Sequence, residues 1–288
     1  MSVAESHIVE DFDVFKAELS KEDFKVFSDY IYSRYGIKMP DIKRVMLQGR
    51  LLKRIRELNM RSYSEYKDYF FSPEGQEKEL YNFLSVVTTN KTDFFRESVH
   101  FDFLTKVVLP EYEARPVKNI KIWSAACSSG EELYTISIVL HEFIEQHPQM
   151  TYQILGTDIS NNVLEKAVKG VYPEHVVDVI PLSLKKKYFY RSKDRKNPTV
   201  RVAPELQRNI SLKYLNLMDS QYDIKETYDV IFCRNVLIYF DRETQEKVIN
   251  KLCRHLHPGG YLFIGHSESV ANMTVPLDNI KPTIFKRK

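Results

Sequence analysis

The chain has 288 residues, of which 43% are hydrophobic and 28% are charged, and its formal net charge is +3. This composition is typical of a globular protein with one or two domains, and the small net charge excludes nucleic-acid binding driven by overall charge. The three cysteines are scattered, which predicts neither a disulfide framework nor a zinc site. Residues 1–15 are acidic and no run of about 18 apolar residues is present, which predicts no signal peptide and no membrane insertion. Together these features predict a cytoplasmic protein.

The first part of the chain has a helical pattern. From Ser20 to Leu84, apolar residues recur at three- and four-residue spacing, and Gly36 ends the first helix. The pattern continues beyond Leu84 but is interrupted at "TTNKTD", where Thr and Asn favour local turns. The sequence therefore predicts an all-helical domain over residues 1–84 and a connector over residues 85–116.

One of these helices is strongly basic. Residues 41 to 61 carry seven Lys or Arg side chains against Asp41 and Glu57, a local excess of five positive charges. Such a helix can be a solvated surface, a contact for membranes or nucleic acid, or a dock for an acidic helix. Composition alone leaves all three interpretations open.

After Pro116 the pattern changes to strands that alternate with helices. Apolar strands such as "NIKIWSA", "YQILGTDI" and "YDVIFCRN" are separated by helical stretches. This alternation predicts a parallel sheet covered on both faces, which is a doubly wound α/β domain over residues 117–288. Short β-prone runs, prolines and a charge cluster at about residues 171–210 predict an inserted small antiparallel β element.

The turn after the first strand, "WSAACSSGEE", indicates what kind of ligand the domain binds. It contains neither the GxxxxGK[ST] phosphate loop nor the GxGxxG dinucleotide fingerprint. Small residues recur at every second position from Ser124 to Gly130, so a ligand can approach the backbone closely. Glu131 and Glu132 then begin the helix, where they would repel a phosphate and attract an ammonium or sulfonium group, or else only complement the helix dipole.

Polar residues follow other strands of the predicted sheet. Ligands of doubly wound folds bind at the carboxyl ends of the strands. Asp158 ends the second strand, where an acid commonly binds both hydroxyls of a ribose, although it could equally cap the next helix. Asn216 and Asn235 follow apolar strands, and a nucleoside would satisfy their amide groups.

Six motifs in this order, "TTNKTDFFRE", "WSAACSSGEE", "TDIS", "LNL", "FCRNVLIYFD" and "PGGYLFIGHSES", resemble the CheR family. The members of this family are S-adenosylmethionine-dependent methyltransferases that esterify glutamates on bacterial chemoreceptors. The resemblance covers nearly the whole chain. It implies a class I methyltransferase (Rossmann-like) sheet, S-adenosyl-L-methionine as the cofactor and S-adenosyl-L-homocysteine as the product.

The resemblance also implies which residues bind the cofactor. They are Asn90, Thr92 and Arg96 for the methionine end, Glu131 for the ammonium group, Asp158 for the ribose, Asn216 and Leu217 for the adenine region, and Asn235 and Val236 for the methionyl side. Arg96 would pair with the cofactor carboxylate in a forked geometry. From the residues alone, Arg96 could instead pair with Glu97 or Asp93 on a helix surface.

Catalysis and partners follow from the same resemblance. Arg96 and Tyr239 are the predicted catalytic residues, with a core position beside Phe240 as the alternative for Tyr239. An ionised glutamate acceptor, with an ordinary pKa of about 4.3, needs no general base. The predicted partners are methyl-accepting chemoreceptors, whose acidic helices would dock on the basic helix. The docking residues are Arg50, Lys53, Arg54 and Arg56.

The chain departs from the family pattern at two places. Leu133 stands where the family usually has proline, and "YRSKDRKNPTV" lacks the glycines of members that bind a receptor tail peptide, which predicts independence of such a tail. His266 matches the family motif but has no physical role that the sequence explains. Two other functions are considered: methylation of nucleic acid or a small molecule, which the absence of a D/N-P-P-Y or Pro-Cys motif disfavours, and non-catalytic sensing of the cofactor.

Overall fold

The computed structural model describes residues 18–288, so the expected absence of a signal peptide concerns residues outside this range. The described residues form two compact units. One extends to Ser33 and resumes over Met39–Val87, and the other comprises Arg34–Lys38 and Thr88–Lys288. Residues 34–38 were predicted to lie in the helical domain, but they belong to the second unit. No described helix is long and apolar enough to cross a membrane.

Short helices build the first unit. They are Lys21–Tyr35 (α1), Arg44–Glu57 (α2), Tyr63–Phe71 (α3), Pro73–Lys78 (α4) and Leu80–Val87 (α5). Ser62 caps α3 and Ser72 caps α4, because each hydroxyl accepts a hydrogen bond from a backbone N–H three residues later. Helix α2 buries Leu47, Leu51 and Ile55, which are spaced by four residues on one face. Its basic residues therefore lie on the remaining faces.

The basic residues of α2 differ in their surroundings. Arg54 forms a forked ion pair with the buried Glu79, whose oxygens lie 2.6 and 2.7 Å from the Arg54 nitrogens. Arg50 donates a 2.5 Å hydrogen bond to the Val87 carbonyl. The Lys53 side chain is 72% exposed, and Arg56 is exposed. Arg54 therefore holds α2 to the junction between α4 and α5, while Lys53 and Arg56 face solvent.

A seven-stranded sheet forms the centre of the second unit. Its strands are Asn119–Ala125 (β1), Thr151–Asp158 (β2), Ile210–Tyr214 (β6), Tyr228–Cys233 (β7), Leu256–Ile264 (β8), Leu277–Lys281 (β9) and Ile284–Arg287 (β10). The strand order is β6-β2-β1-β7-β8-β10-β9, and the first five strands run parallel while β10 is antiparallel to both of its neighbours. Strand β7 is buried along its whole length, as expected for a central strand of a covered parallel sheet. The predicted doubly wound fold is confirmed.

Helices cover this sheet on both faces. Those of the second unit are Val99–Phe103 (α6), Leu109–Glu113 (α7), Glu131–Gln146 (α8), Asn161–Lys169 (α9), Leu182–Tyr188 (α10), Pro204–Gln207 (α11) and Arg242–Arg254 (α12). Two separate apolar clusters result, one containing Ile120, Ile122 and Leu133 and the other containing Trp123 and Leu252. The alternation of side chains along β1 explains why Ile122 and Trp123 belong to different clusters.

The predicted insertion is also present. Strands Val171–Pro173 (β3), Phe189–Arg191 (β4) and Thr199–Val202 (β5) form an antiparallel sheet in the order β3-β5-β4. The sequence analysis did not predict β9 and β10. In β9 only Leu277 is buried, so this strand lacks the apolar alternation by which strands are recognised.

Candidate active site at the carboxyl ends of the strands

The loop between β1 and α8 has an unusual backbone. The φ angles of Ala126, Ser128 and Gly130 are +71°, +50° and +97°, so every second residue is left-handed. The N–H groups of Ala126 and Cys127 both donate to the carbonyl of Thr157 at the end of β2. The small residues that the sequence shows here therefore allow a tightly folded loop, because bulky residues rarely adopt this conformation.

Gly130 is required at its position in this loop. A Cβ atom on Gly130 would lie 2.9 Å from the Ala167 Cβ and 3.0 Å from the Tyr172 hydroxyl. We expect Gly130→Ala to lower the free energy of unfolding by about 2 kcal/mol, because it adds left-handed strain to a steric clash. Urea unfolding measures the change. Gly49→Ala is the control, since Gly49 lies in a helix with no atom within 4 Å of the added methyl. It should be neutral or stabilising, and equal losses in both variants would contradict the prediction.

Buried carboxylates surround the loop. The Asp158 carboxylate accepts hydrogen bonds from the N–H groups of Ser128 at 2.9 Å and Ser160 at 3.0 Å. Glu131 is 6% exposed and accepts a 2.7 Å bond from the Ser129 hydroxyl. Burial raises the pKa of Asp158 and of Glu131, even though hydrogen bonds oppose the shift. The region around Asp158 and Glu131, called the anionic crevice below, therefore favours a cation or hydrogen-bond donors.

The adjacent Glu132 has a different role. One of its oxygens accepts a bond from the Ser124 hydroxyl at 2.7 Å, and the other is paired with Arg234 at 2.8 Å. Arg234 follows β7 and its side chain is 2% exposed. The two acids that begin α8 are thus not equivalent: Glu132 joins strands to the helix, whereas Glu131 accepts its side-chain hydrogen bond from the neutral Ser129.

Arg234 also holds the connector. Its second terminal nitrogen donates to the Arg96 carbonyl at 2.5 Å and to the Glu97 carboxylate at 3.0 Å. The other Glu97 oxygen accepts a 3.1 Å bond from the Asn235 side chain. Although burial raises the pKa of Glu97, the bonds from Asn235 and Arg234 outweigh it and lower the pKa overall. Arg234 therefore links the connector, β7 and α8 through two carboxylates.

Glu268 shapes the loop after β7. Its carboxylate accepts bonds from the N–H groups of Asn235 at 3.1 Å, Leu237 at 2.7 Å and Gly265 at 2.5 Å. This contact fixes Asn235 in a left-handed conformation with φ of +58°. The ends of β7 and β8 are so close that a Cβ on Gly265 would lie 2.5 Å from the Asn235 side-chain nitrogen.

Most of the predicted cofactor residues come together in this region. The Ser128 hydroxyl donates to the Asn90 carbonyl at 2.9 Å, so Asn90 lies beside the same loop as Asp158. Thr92 is half-buried on the same segment. The Arg96 guanidinium donates to the Lys91 carbonyl at 3.0 Å. The pairing of Arg96 with Glu97 that the sequence left open is not formed, since Glu97 pairs with Arg234.

The remaining predicted residues lie at two other loops of the sheet. The Asn216 amide donates to the Arg34 carbonyl at 2.9 Å, and its oxygen accepts from Met218 N–H at 3.0 Å. Both amide groups thus have protein partners, and the argument that a nucleoside must satisfy them does not hold. Leu217 is buried in the same apolar cluster against which Val236 packs. Their part in adenine and methionyl binding stays a prediction.

Tyr239 is half-buried at the end of a short 3₁₀ helix, Leu237–Tyr239, and its carbonyl accepts a 2.9 Å bond from Lys38 N–H. Phe240, its neighbour, is buried. Phe240, and not Tyr239, therefore lies in the core. The Tyr239 side chain has partial access to solvent, as an acceptor-binding residue needs.

Sequence reasoning missed three charged residues of this site: Glu97, Arg234 and Glu268. A signal was present for Arg234, because a charged side chain that directly follows six buried strand residues must find a partner. The partners themselves were not visible, since they lie 102 and 137 residues away along the chain.

The residues present suit S-adenosylmethionine. A buried acid at the start of α8 can bind an ammonium group, and an acid at the end of β2 can accept from ribose hydroxyls. The left-handed loop brings backbone close to any ligand in the crevice. A seven-stranded sheet of this order with such a donor set is typical of S-adenosylmethionine-dependent methyltransferases.

Comparison with known proteins agrees with this class. The family described as "CheR methyltransferase, SAM binding domain" matches residues 90–285, and "CheR methyltransferase, all-alpha domain" matches residues 22–88. The chain belongs to the CheR family of chemotaxis protein methyltransferases, and its cofactor is S-adenosylmethionine.

Full-length relatives show the same family. The chain is 36% identical over 275 residues to a chemotaxis protein methyltransferase of Borreliella burgdorferi, covering 93% of this chain and 95% of that protein. It is 36% identical over 255 residues to one of Salmonella typhimurium, covering 88% and 86%. It is also 36% identical over 256 residues to one of Escherichia coli, covering 88% and 87%.

Proposed function

We propose that the chain transfers the methyl group of S-adenosylmethionine to glutamate side-chain carboxylates of bacterial chemoreceptors and forms glutamate methyl esters. The observation that carries the proposal is the anchoring of residues 90–97 at the strand ends by Arg234 and Ser128. The segment that carries Arg96 is thereby held against Ser128, whose N–H donates to Asp158, and we infer that Arg96 lies beside the anionic crevice. A cationic side chain next to buried acids matches a cofactor that carries a carboxylate as well as an ammonium group.

Each cofactor contact has a chemical reason. Arg96 pairs with the cofactor carboxylate, and Glu131 binds the ammonium group. Asp158 accepts from the ribose hydroxyls with the lone pairs that Ser128 and Ser160 leave open. The remaining contacts, to the methionine end, the adenine and the methionyl chain, are made by Asn90, Thr92, Asn216, Leu217, Asn235 and Val236.

The chemistry requires alignment more than proton transfer. S-adenosylmethionine supplies an electrophilic methyl group on its sulfonium. An acceptor glutamate is ionised at neutral pH, so its oxygen can attack in line without a general base. Arg96 and Tyr239 orient the acceptor carboxylate, and the crevice excludes water from the reacting atoms.

Receptor recognition is independent of a tail peptide in this proposal. The loop between β4 and β5 contains no glycine, and the Asp194 carboxylate holds it by accepting from Lys196 N–H at 2.8 Å. A loop fixed by its own side chain lacks the backbone freedom that glycines give. Receptors with and without their C-terminal tail should be methylated at equal rates.

Carboxyl methylation tests the proposal directly. The purified protein is incubated with methyl-labelled S-adenosylmethionine and chemoreceptor-containing membranes, then treated with mild base, and volatile methanol is counted. Counts above a no-enzyme control are expected, and they should vanish with a receptor whose methyl-accepting glutamates are replaced by alanine. If S-adenosylhomocysteine binds but no base-labile counts form, the acceptor is not a receptor carboxylate.

The basic helix α2 is proposed as the receptor dock. The docking surface consists of the exposed Lys53 and Arg56, with the half-buried Arg50 at its side; Arg54 is excluded because its guanidinium is paired with Glu79. Exposed positive side chains on one helix complement an acidic receptor helix and steer its approach.

Charge reversal tests this docking surface. We expect Lys53→Glu with Arg56→Glu to raise the KM for receptor by roughly tenfold, because two attractive contacts become repulsive, while cofactor affinity stays unchanged. Steady-state kinetics with receptor membranes measure the effect. Lys78→Glu is a matched control, since Lys78, like Lys53, is an exposed lysine in an i,i+4 pair with a glutamate of the same unit. An equal rise in KM for the control would assign the effect to overall charge.

A further inference from the structure

Glu97 and His100, a pair in the connector, meet His266, which follows β8. The Nδ1 atom of His100 lies 3.7 Å from Oε2 of Glu97, and Nε2 of His266 lies 3.9 Å from the same oxygen. The potential ligand atoms of all three side chains lie within 4.8 Å of one another. His100 is fully buried, and the side chain of His266 is 52% exposed.

The Thr283 hydroxyl contacts the ring of His100. The Thr283 hydroxyl donates to the Pro282 carbonyl at 2.6 Å, so its oxygen is left to accept from Nε2 of His100 at 2.8 Å. This arrangement admits the neutral tautomer that carries its proton on Nε2, in which Nδ1 presents a lone pair. A Nε2–H that is held by an oxygen is also the usual way in which a metal-binding histidine is oriented.

The Nδ1 lone pair has no partner among the described residues and faces a carboxylate. Nδ1 of His100 is fully buried without a hydrogen bond, although the Glu97 oxygen is close. Two acceptors that face one another are unfavourable unless a cation lies between them.

We propose that Glu97, His100 and His266 bind one divalent transition-metal ion, of which zinc is the best match. Two imidazoles and a carboxylate are ligands that zinc commonly takes. Zinc bonds of about 2.1 Å in tetrahedral geometry place neighbouring ligand atoms about 3.4 Å apart. The two histidine nitrogens lie 3.7 and 3.9 Å from the Glu97 oxygen, and all ligand atoms lie within 4.8 Å of one another, so side-chain rotation must bring them closer. The exposed side of His266 leaves the fourth position to water.

The surrounding charges permit such an ion. Arg234 is the nearest cation, but it is paired with both Glu97 and Glu132, so two negative charges face one positive charge. The ion would bind Oε2 of Glu97, which also accepts hydrogen bonds from Arg234 at 3.0 Å and from the His266 N–H at 3.3 Å, while the other oxygen holds Asn235. The spacing of residues in the sequence predicted no metal site. Local spacing could not reveal this one, because the fold brings Glu97 and His100 of the connector to His266 after β8.

Cobalt binding tests the proposal without reference to turnover. Tag-free protein stripped of metal is titrated with Co²⁺ and then with Zn²⁺. We expect one Co²⁺ per chain, an intense visible absorption typical of four-coordinate cobalt, and its displacement by Zn²⁺. His266→Ala should weaken Co²⁺ binding by at least about 100-fold, more than the loss of an outer-shell partner does. If the protein does not bind Co²⁺, the proposed methyl transfer is unaffected, because the titration contains no substrate.

A control and a second measurement separate this site from surface binding. His147 lies 2.9 Å from Glu113 and provides a comparable histidine–carboxylate pair, so His147→Ala should leave the cobalt absorption unchanged. Zinc-edge X-ray absorption of the unmodified protein needs no variant and should show two imidazole ligands. Equal Co²⁺ affinity in His266→Ala, an oxygen-only zinc shell, or sulfur ligation would each overturn the proposal.

Discussion

Replacing Arg234 with methionine is expected to lower the free energy of unfolding by about 3–5 kcal/mol and to abolish methyl transfer. The guanidinium is buried and forms ion pairs with Glu97 and Glu132. Its removal leaves two carboxylates without their counter-ion in a poorly solvated place. The connector also loses its bond to the Arg96 carbonyl, which positions the predicted carboxylate-binding residue. Urea unfolding measures the stability, and the labelled-methanol assay measures activity.

Two further variants make this prediction specific. Arg254→Met removes an exposed arginine of the same domain and should change the free energy of unfolding by less than about 0.5 kcal/mol. Glu97→Gln combined with Arg234→Met should recover part of the stability, because one stranded charge is neutralised. A loss below about 1 kcal/mol for Arg234→Met would show that the ion pairs do not hold the site together.

Opposite outcomes are expected for the two neighbouring acids of α8. Glu131→Gln should weaken cofactor binding by about 10- to 100-fold, because the ammonium group loses a charged acceptor. The same change should raise the melting temperature of the cofactor-free protein, since burial raises the pKa of Glu131 and the charged form is unfavourable when folded. Glu132→Gln should instead lower the melting temperature, because Arg234 loses a partner.

The sign of the pH dependence follows from the raised pKa of Glu131. The folded protein holds this proton to higher pH than the unfolded chain does, so stability falls as pH rises from the ordinary carboxyl pKa through the raised one. The increase in melting temperature caused by Glu131→Gln should therefore be largest at pH values above the raised pKa of Glu131. It should disappear at pH values below the ordinary carboxyl pKa. Calorimetry of cofactor-free protein at several pH values measures it. A melting temperature lowered by Glu131→Gln at pH 8 would show that the buried carboxylate stabilises the fold.

The sequence could predict those parts of the molecule that depend on local pattern. Apolar strands, amphipathic helices and the small residues up to Gly130 are readable because their period or size reports directly on burial and backbone conformation. Strand β9 was missed because four of its five residues are exposed, and an edge strand of this kind leaves little apolar signal. The terminal hairpin is held by backbone pairing with β8, which composition does not show.

The site was harder to predict than the fold because its geometry depends on long-range pairs. Asp158 and Glu131 could be proposed from their positions after a strand and at a helix start. The Arg234 network could not, since its three segments are joined only when the sheet forms. For Asn216 the sequence predicted a ligand contact where the protein itself supplies the partner. Its amide donates to a carbonyl 182 residues away.

The catalytic domain is discontinuous along the chain, because it includes the five residues Arg34–Lys38 as well as Thr88–Lys288. Lys38 donates to the Tyr239 carbonyl, the Arg34 carbonyl accepts from Asn216, and a Cβ on Gly36 would lie 2.5 Å from the Met218 sulfur. A gene fragment that begins at Thr88 encodes most of this domain but omits the piece that closes two of its loops. The gene segments that encode the two domains are therefore interleaved. A single recombination point between relatives would separate residues 34–38 from the loops that they contact.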